Sequence, residues 1–89
     1  MLGMLISPDK KTVTATSVRF DHNLLYVALS DRREISILLD TVYWLHWLRR
    51  ATDEQRANWS IEPGGFAIYW QELDDGIELC HLLSLEALS

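Results

Sequence analysis

The spacing of apolar residues changes once along this chain, near residue 40, and that change most constrains its fold. In residues 24–29 and 33–39, every second residue is a large aliphatic, which is the period of a strand that buries one face. After residue 43 the period becomes 3.6 residues, which is typical of an amphipathic helix. The helical row consists of Trp44, Trp47, Leu48 and Ala51. A chain of 89 residues that makes this switch predicts a single domain of the α+β class.

The first half of the sequence predicts three strands. Residues 12–20 are rich in β-branched Thr and Val, and residues 24–29 and 33–39 follow with strand spacing. The polar segments 21–23 and 30–32 between them have the length of hairpin loops. We therefore expect a three-stranded antiparallel meander.

Two short helices are predicted after the meander. The first, over 41–50, begins at a capping side chain, either Asp40 or Thr41. The second, over 53–59, begins at Thr52, which is followed three residues later by a glutamine, the signature of a capping box. We expect both helices to pack on one face of the sheet, because their apolar stripe must be buried.

The rest of the chain predicts a two-stranded segment. Residues 66–70 and 77–82 are the two expected strands, and an acidic loop over 71–76 joins them. Ser84 can cap a final helical turn.

These elements form one domain over residues 12–89, preceded by a lead, residues 1–11. The lead is either an additional edge strand or a frayed end. Its apolar start is too short for a signal peptide or a membrane span. The single cysteine cannot form an internal disulfide, and together with the absence of an export signal it favours the cytoplasm.

Charge is distributed unevenly along the chain. The net charge is −5. Residues 1–50 carry seven Lys or Arg and five Asp or Glu, whereas residues 51–89 carry one and eight. An acidic surface repels phosphates, so we expect no direct nucleic-acid binding. The same surface is suited to a basic protein partner.

The sequence does not predict a catalytic residue, a metal site or a cofactor. His81 follows Cys80 within a predicted strand, where neighbouring side chains point to opposite faces and cannot form a dyad. Cys80 is expected to be a small buried group. The acidic loop 71–76 has oxygen ligands for a hard cation, but its spacing does not match a calcium loop, and we interpret it as a solvated turn.

Surface residues therefore carry the functional prediction, a non-catalytic module that binds a protein partner. The expected contact residues are Tyr69, Trp70, Glu72, Asp74 and Asp75, with a second patch at Arg49 and Arg50. The alternative is a small ligand-binding domain or enzyme that acts on an anionic small molecule. Its residues would be His46, Arg49 and Arg50, which share one helix face. Edge strands and aromatic residues are also compatible with a homodimer.

Several motifs occur in a fixed order along the chain. They are Val18–Asp21, Leu29–Asp31, Arg33–Ile35, Ala51–Arg56 with Trp59, Ile68–Trp70, Glu72–Asp74 and Leu82–Leu83. Together they resemble a small bacterial family of domains of unknown function over residues 12–88. The resemblance implies a short α+β domain. It also implies a protein partner, the product of a neighbouring gene, because many members are encoded in toxin–antitoxin-like pairs, and some longer members carry a helix-turn-helix domain.

Two positions depart from the pattern of that family. At the second hairpin the family usually has Asp-Gly, whereas this chain has Asp31-Arg32, so the type I′ turn that Asp-Gly favours is not implied here. In the closing segment the family usually has His-Trp-Pro, whereas this chain has Tyr69-Trp70-Gln71. A role for a histidine at that position does not carry over.

Overall fold

The first three strands form the antiparallel meander that the two-residue period predicts. The computed structural model describes residues 13–88, with side chains described to residue 85, so the predicted lead over 1–11 lies outside the described residues. The strands are β1 (Ala15–Asp21), β2 (Leu24–Leu29) and β3 (Glu34–Leu38). β2 lies between β1 and β3. Buried along the predicted period are Leu25, Val27, Leu29, Ile35, Ile37 and Leu39.

The second hairpin has a three-residue loop and not the two-residue type I′ turn. The Arg32 N–H donates to the Leu29 carbonyl (3.1 Å), and the Leu29 N–H donates to the Arg33 carbonyl (2.8 Å). Arg32 is the last residue of this loop and has φ +75°, the left-handed conformation in which glycine is usual. The Asp31 carboxylate accepts from the Arg33 backbone (3.1 Å) and helps to hold the loop.

The region predicted as one helix over 41–50 is broken into shorter pieces. These are two 3₁₀ turns, Leu39–Thr41 and Tyr43–Leu45, and one helical turn, α1 (His46–Arg49). Val42 between the 3₁₀ turns has an extended backbone (φ −124°, ψ 99°). The helix does not form over its full predicted length because the β-branched and aromatic residues at its start have low helix propensity.

This break changes which side chains are buried. Leu45 and Leu48 are fully buried, whereas Trp44 and Trp47 are only partly buried. The Trp47 indole N–H donates to the Trp44 carbonyl (2.9 Å), which satisfies its polar atom at the edge of the core.

The second helix, α2 (Asp53–Ala57), begins as predicted and ends earlier. Thr52 Oγ1 accepts from the Gln55 N–H (3.0 Å), and Gln55 Oε1 accepts from the Thr52 N–H (3.0 Å), which confirms the capping box. The chain then leaves the helix at Asn58, and the next strand begins at the following residue, Trp59.

The second half contains a three-stranded sheet, where the sequence predicted two strands. Its strands are β4 (Trp59–Ile61), β5 (Ala67–Trp70) and β6 (Asp75–Glu78), paired antiparallel in that order. β4 was missed because a three-residue strand is too short to show a period. The α+β class is confirmed.

The predicted strand over 77–82 is wrong in its second part. β6 ends at Glu78, and the chain continues directly as a helix, α3 (Leu79–Leu88). Leu79 and Leu82 are buried at helical spacing, and the predicted capping role of Ser84 is lost because the helix begins five residues earlier. Short apolar runs of this kind do not distinguish a strand from a helix.

Both sheets and the helical region enclose one apolar core. Its fully buried members include Leu25, Val27 and Ile35 from the first sheet, Ile68 and Trp70 from the second, and Leu45, Leu48 and Leu82 from the helices. Among the described residues, no helix has the length and apolar character needed to cross a membrane.

A close backbone approach joins the two halves. The Ala15 N–H donates to the Gly65 carbonyl (2.8 Å). A Cβ on Gly65 would lie 2.5 Å from the Cβ of Thr14, and the backbone of Gly65 is left-handed (φ +81°). Only glycine fits here without a shift of the strand.

Candidate functional site

The outer surface of the second sheet is acidic. Residues 59–78 contain five Asp or Glu and no Lys or Arg. Four of these carboxylates, which we call the acidic face, are Glu62, Glu72, Asp74 and Asp75. Within the described part of the chain, none of the four forms an ion pair with a Lys, Arg or His.

Tyr69 lies beside three carboxylates of the acidic face, those of Glu62, Asp74 and Asp75. It belongs to the middle strand β5, opposite Ser60 on one side and Gly76 on the other. A Cβ on Gly76 would come within 3.3 Å of the Tyr69 ring, so these small neighbours leave room for the ring. Tyr69 is half-buried, and its hydroxyl donates to the Asp74 carboxylate (2.7 Å).

The surrounding charge affects the Tyr69 phenol. The hydrogen bond to Asp74, followed by partial burial and the negative charges of Asp74, Glu62 and Asp75, raises the pKa of Tyr69 above its usual value of 10.0. Asp74 has a left-handed backbone (φ +52°), which a short polar side chain tolerates. The phenol and the carboxylate are thus held together as one polar unit at the surface.

The two remaining predicted acids are also exposed and locally ordered. Glu72 Oε2 accepts from the Asn58 side-chain amide (3.0 Å), and Asp75 Oδ1 accepts from the Gly76 N–H (2.8 Å). These hydrogen bonds involve neutral donors and leave the negative charges uncompensated.

Trp70 is wrong as a predicted contact residue, because it is fully buried. Alternation along β5 turns Tyr69 outward and Trp70 inward. The Trp70 ring packs edge-on against Trp47 (centroids 5.8 Å apart) and Phe20 (6.4 Å). Its indole N–H donates to the Arg56 carbonyl (2.9 Å).

The predicted basic patch is only partly available to a ligand. His46 and Arg50 are exposed, and the Arg50 N–H donates to the His46 carbonyl (3.0 Å), so they keep the predicted i, i+4 spacing. The Arg49 guanidinium is bound to the Asp40 carboxylate, which offsets its charge. His46, Arg49 and Arg50 therefore do not present three free side chains to a ligand.

Arg56 has a structural role that the sequence patterns did not predict. It is 6% exposed, and its guanidinium donates to the carbonyls of Leu48 (3.1 Å), His22 (2.7 Å) and Arg49 (3.0 Å) and to the Asn23 side-chain oxygen (2.9 Å). It therefore fixes the first hairpin loop and the end of α1 against α2. A signal was present, since Arg56 closes the motif 51–56 that carries the family resemblance.

A groove of about 380 Å³ lies beside Arg56, between β1 and α2. Its lining includes Phe20, His22, Asp53 and Trp59. Four of the five guanidinium N–H groups of Arg56 already donate to protein acceptors, so the arginine supports the wall of the groove.

The C-terminal region brings together residues that the predicted strand would have separated. Cys80 is exposed and not buried as predicted, because it lies on α3. Glu78, Cys80 and His81 have their ligand atoms close enough to hold a metal ion.

Comparison with known proteins gives a family and a fold. Residues 15–86 match the family model described as protein of unknown function (DUF2442). A crystal structure of a protein of unknown function from Rhodospirillum rubrum is similar with a TM-score of 0.66 and 22% identity, covering 81% of this chain and 86% of that one. The solution structure of an uncharacterized protein from Chromobacterium violaceum has a TM-score of 0.69 and 22% identity, covering 94% of this chain and 83% of that one.

At this identity the two structures support the fold alone. No curated protein sequence matches the chain significantly. The family model covers most of the domain, including both sheets and α2. The chain therefore belongs to the DUF2442 family of proteins of unknown function.

Proposed function

We propose that this protein is a non-catalytic interaction module that binds a basic protein partner through the acidic face. The observation that carries the proposal is the outward-facing Tyr69 with the carboxylates of Glu62, Asp74 and Asp75 around it. These three carboxylates and Glu72, which lies beside Asn58, have no cationic partner in the described residues. The partner is the product of a neighbouring gene, in the manner of the antitoxin half of a two-protein system.

Electrostatics supports a basic partner. Arg19, Arg33 and Arg49 in the first half are each bound to a carboxylate of the same half. On the second sheet, by contrast, the four carboxylates of the acidic face have no cationic partner in the described residues and can steer a cationic surface into contact.

Tyr69 supplies the apolar area that charge alone lacks. Tyrosine is enriched in interfaces because it offers a large rigid ring with a polar tip. Here the ring is already ordered by its hydrogen bond to Asp74, so little further side-chain entropy is lost on binding.

Co-expression with the neighbouring gene product tests the proposal. The variant Glu72→Lys/Asp75→Lys reverses two charges of the acidic face, and we expect the association rate to fall by at least about tenfold. Asp74 is left unchanged, because lysine is strained at its positive φ.

The control is Glu34→Lys/Asp40→Lys, which changes the net charge equally but alters exposed carboxylates of the first half. It should bind almost as well as the parent. The proposal is rejected if no complex forms, or if both double variants bind equally well.

The alternative, binding of an anionic small molecule at His46 and Arg50, makes a different prediction. A phosphorylated metabolite would raise the melting temperature of the parent and not of Arg50→Ala.

A further inference from the structure

A second cluster of reactive side chains lies where β6 meets α3. Glu78 is the last residue of the strand, and Cys80 and His81 belong to the first turn of the helix. One ligand atom from each residue lies within 4.8 Å of the other two, and all three side chains are exposed. The cluster exists because the chain changes from strand to helix without a loop, which brings the Glu78 carboxylate within 3.6 Å of the His81 ring.

The donor set is a thiolate sulfur, an imidazole nitrogen and a carboxylate oxygen. This combination is typical of zinc, whereas magnesium and calcium prefer oxygen ligands alone. The acidic face offers only oxygen atoms and is therefore a different kind of surface.

One of the three separations already matches a tetrahedral zinc ion. Zinc bonds to sulfur, nitrogen and oxygen place neighbouring ligand atoms about 3.3–3.8 Å apart. His81 Nε2 already lies 3.6 Å from Glu78 Oε1. The remaining distances need to shorten by about 1 Å or less relative to that range, which the exposed Cys80 side chain can achieve by rotation.

The His81 ring is supported on one side. It packs edge-on against Trp44, with ring centroids 6.1 Å apart, beside a hollow that Leu85 also lines. A contact that restricts the ring reduces the entropy lost when the nitrogen binds a metal.

We propose that Glu78, Cys80 and His81 form a zinc site with three protein ligands and a fourth position open to water. This zinc site does not involve Tyr69 and does not depend on the protein partner proposed above.

Cobalt titration of the full untagged chain, first stripped of metal with a chelator, tests this site. We expect one Co²⁺ per chain and a thiolate-to-cobalt charge-transfer band that zinc then removes. Because Cys80 is the chain's single cysteine, the band reports this site alone. Cys80→Ser should abolish the band, and His81→Gln or Glu78→Gln should weaken binding at least about tenfold.

The matched control is His46→Gln, an exposed histidine on α1, which should bind cobalt like the parent. All the substituted side chains are exposed, so circular dichroism should show that each variant folds. The proposal is overturned if the parent gives no charge-transfer band, or if His81→Gln and Glu78→Gln both bind as tightly as the parent.

Discussion

Replacement of Arg56 by methionine should destabilise the domain strongly. Methionine replaces the aliphatic part of the arginine side chain and has no donors, so the carbonyls of His22, Leu48 and Arg49 lose their hydrogen bonds. The Leu48 carbonyl is the most buried acceptor, and leaving such a group unsatisfied costs about 1–3 kcal/mol. Water can reach the other acceptors, for which the loss is about 0.5–1 kcal/mol each.

Removing the guanidinium also makes one favourable contribution to the stability of the domain. In the described residues Arg56 is not paired with a carboxylate, so methionine avoids the desolvation of a charge. We expect a net loss of about 3 kcal/mol, a large share of the roughly 5–15 kcal/mol that stabilises a small domain. The melting temperature should fall by about 12–24 °C.

Urea unfolding followed by tryptophan fluorescence measures this loss. The buried Trp70 is a sensitive probe because its indole N–H donates to the Arg56 carbonyl. Arg56→Lys should be nearly as unstable, since one ammonium cannot reach four acceptors in the geometry of a guanidinium. The exposed control Arg50→Met should change stability by less than about 0.5 kcal/mol.

The reasoning about Arg56 is refuted by either of two results. One is a loss below about 1 kcal/mol in Arg56→Met, which is the range of an ordinary substitution. The other is full stability in Arg56→Lys, which would mean that charge and not the planar geometry is what the fold requires.

Three further substitutions or titrations probe single features. Arg32→Gly should stabilise the domain by about 0.5–1 kcal/mol in urea unfolding, because it relieves a left-handed backbone, and an unchanged midpoint would contradict this. Gly65→Ala should cost about 2 kcal/mol or more. Gly64→Ala, where a Cβ meets nothing closer than 3.4 Å, should cost clearly less, and equal costs would show that the steric clash is unimportant. Absorbance titration should place the pKa of Tyr69 above 10.0 in the parent and closer to 10.0 in Asp74→Asn. Because the pKa of Tyr69 is raised on folding, Tyr69 contributes stability that is present below pH 10 and is lost as the pH rises through the pKa of the folded state. Equal pKa values in the parent and in Asp74→Asn would contradict the role of the Asp74 hydrogen bond.

Local patterns were sufficient to predict the first sheet and the capping box. Each depends on residues close in sequence, such as Thr52 and Gln55, or on a strand with one buried face. Arg56 could not be recognised in this way, because its acceptors at His22 and Asn23 lie 34 and 33 residues away. Its burial depends on how the first hairpin packs against α2.

The helical errors have a related cause. The row beginning at Trp44 has helical spacing, but Val42 keeps an extended backbone. Leu48 is buried as the row predicts, whereas Leu45 takes the buried position expected for the tryptophans. In residues 79–82 the apolar pattern is compatible with a strand or a helix. The burial of Leu79 and Leu82 in the core favours the helix. The cluster of Glu78, Cys80 and His81 was missed for this reason alone, since it exists only if the segment is helical.

The fold also explains why carboxylates remain unpaired on the second sheet. In the first sheet region Arg19, Arg33 and Arg49 each bind a nearby carboxylate, so charges of both signs cancel within a few ångströms. The second sheet has no Lys or Arg with which to do the same. At physiological salt, fields are screened beyond about 8 Å, so only uncompensated groups close to a partner influence its approach. The electrostatic attraction of a cationic partner is therefore strongest over Tyr69 and its neighbouring carboxylates. A mutation that removes the arginine partner of a first-half carboxylate should create a second, weaker binding site and should not strengthen binding at the acidic face.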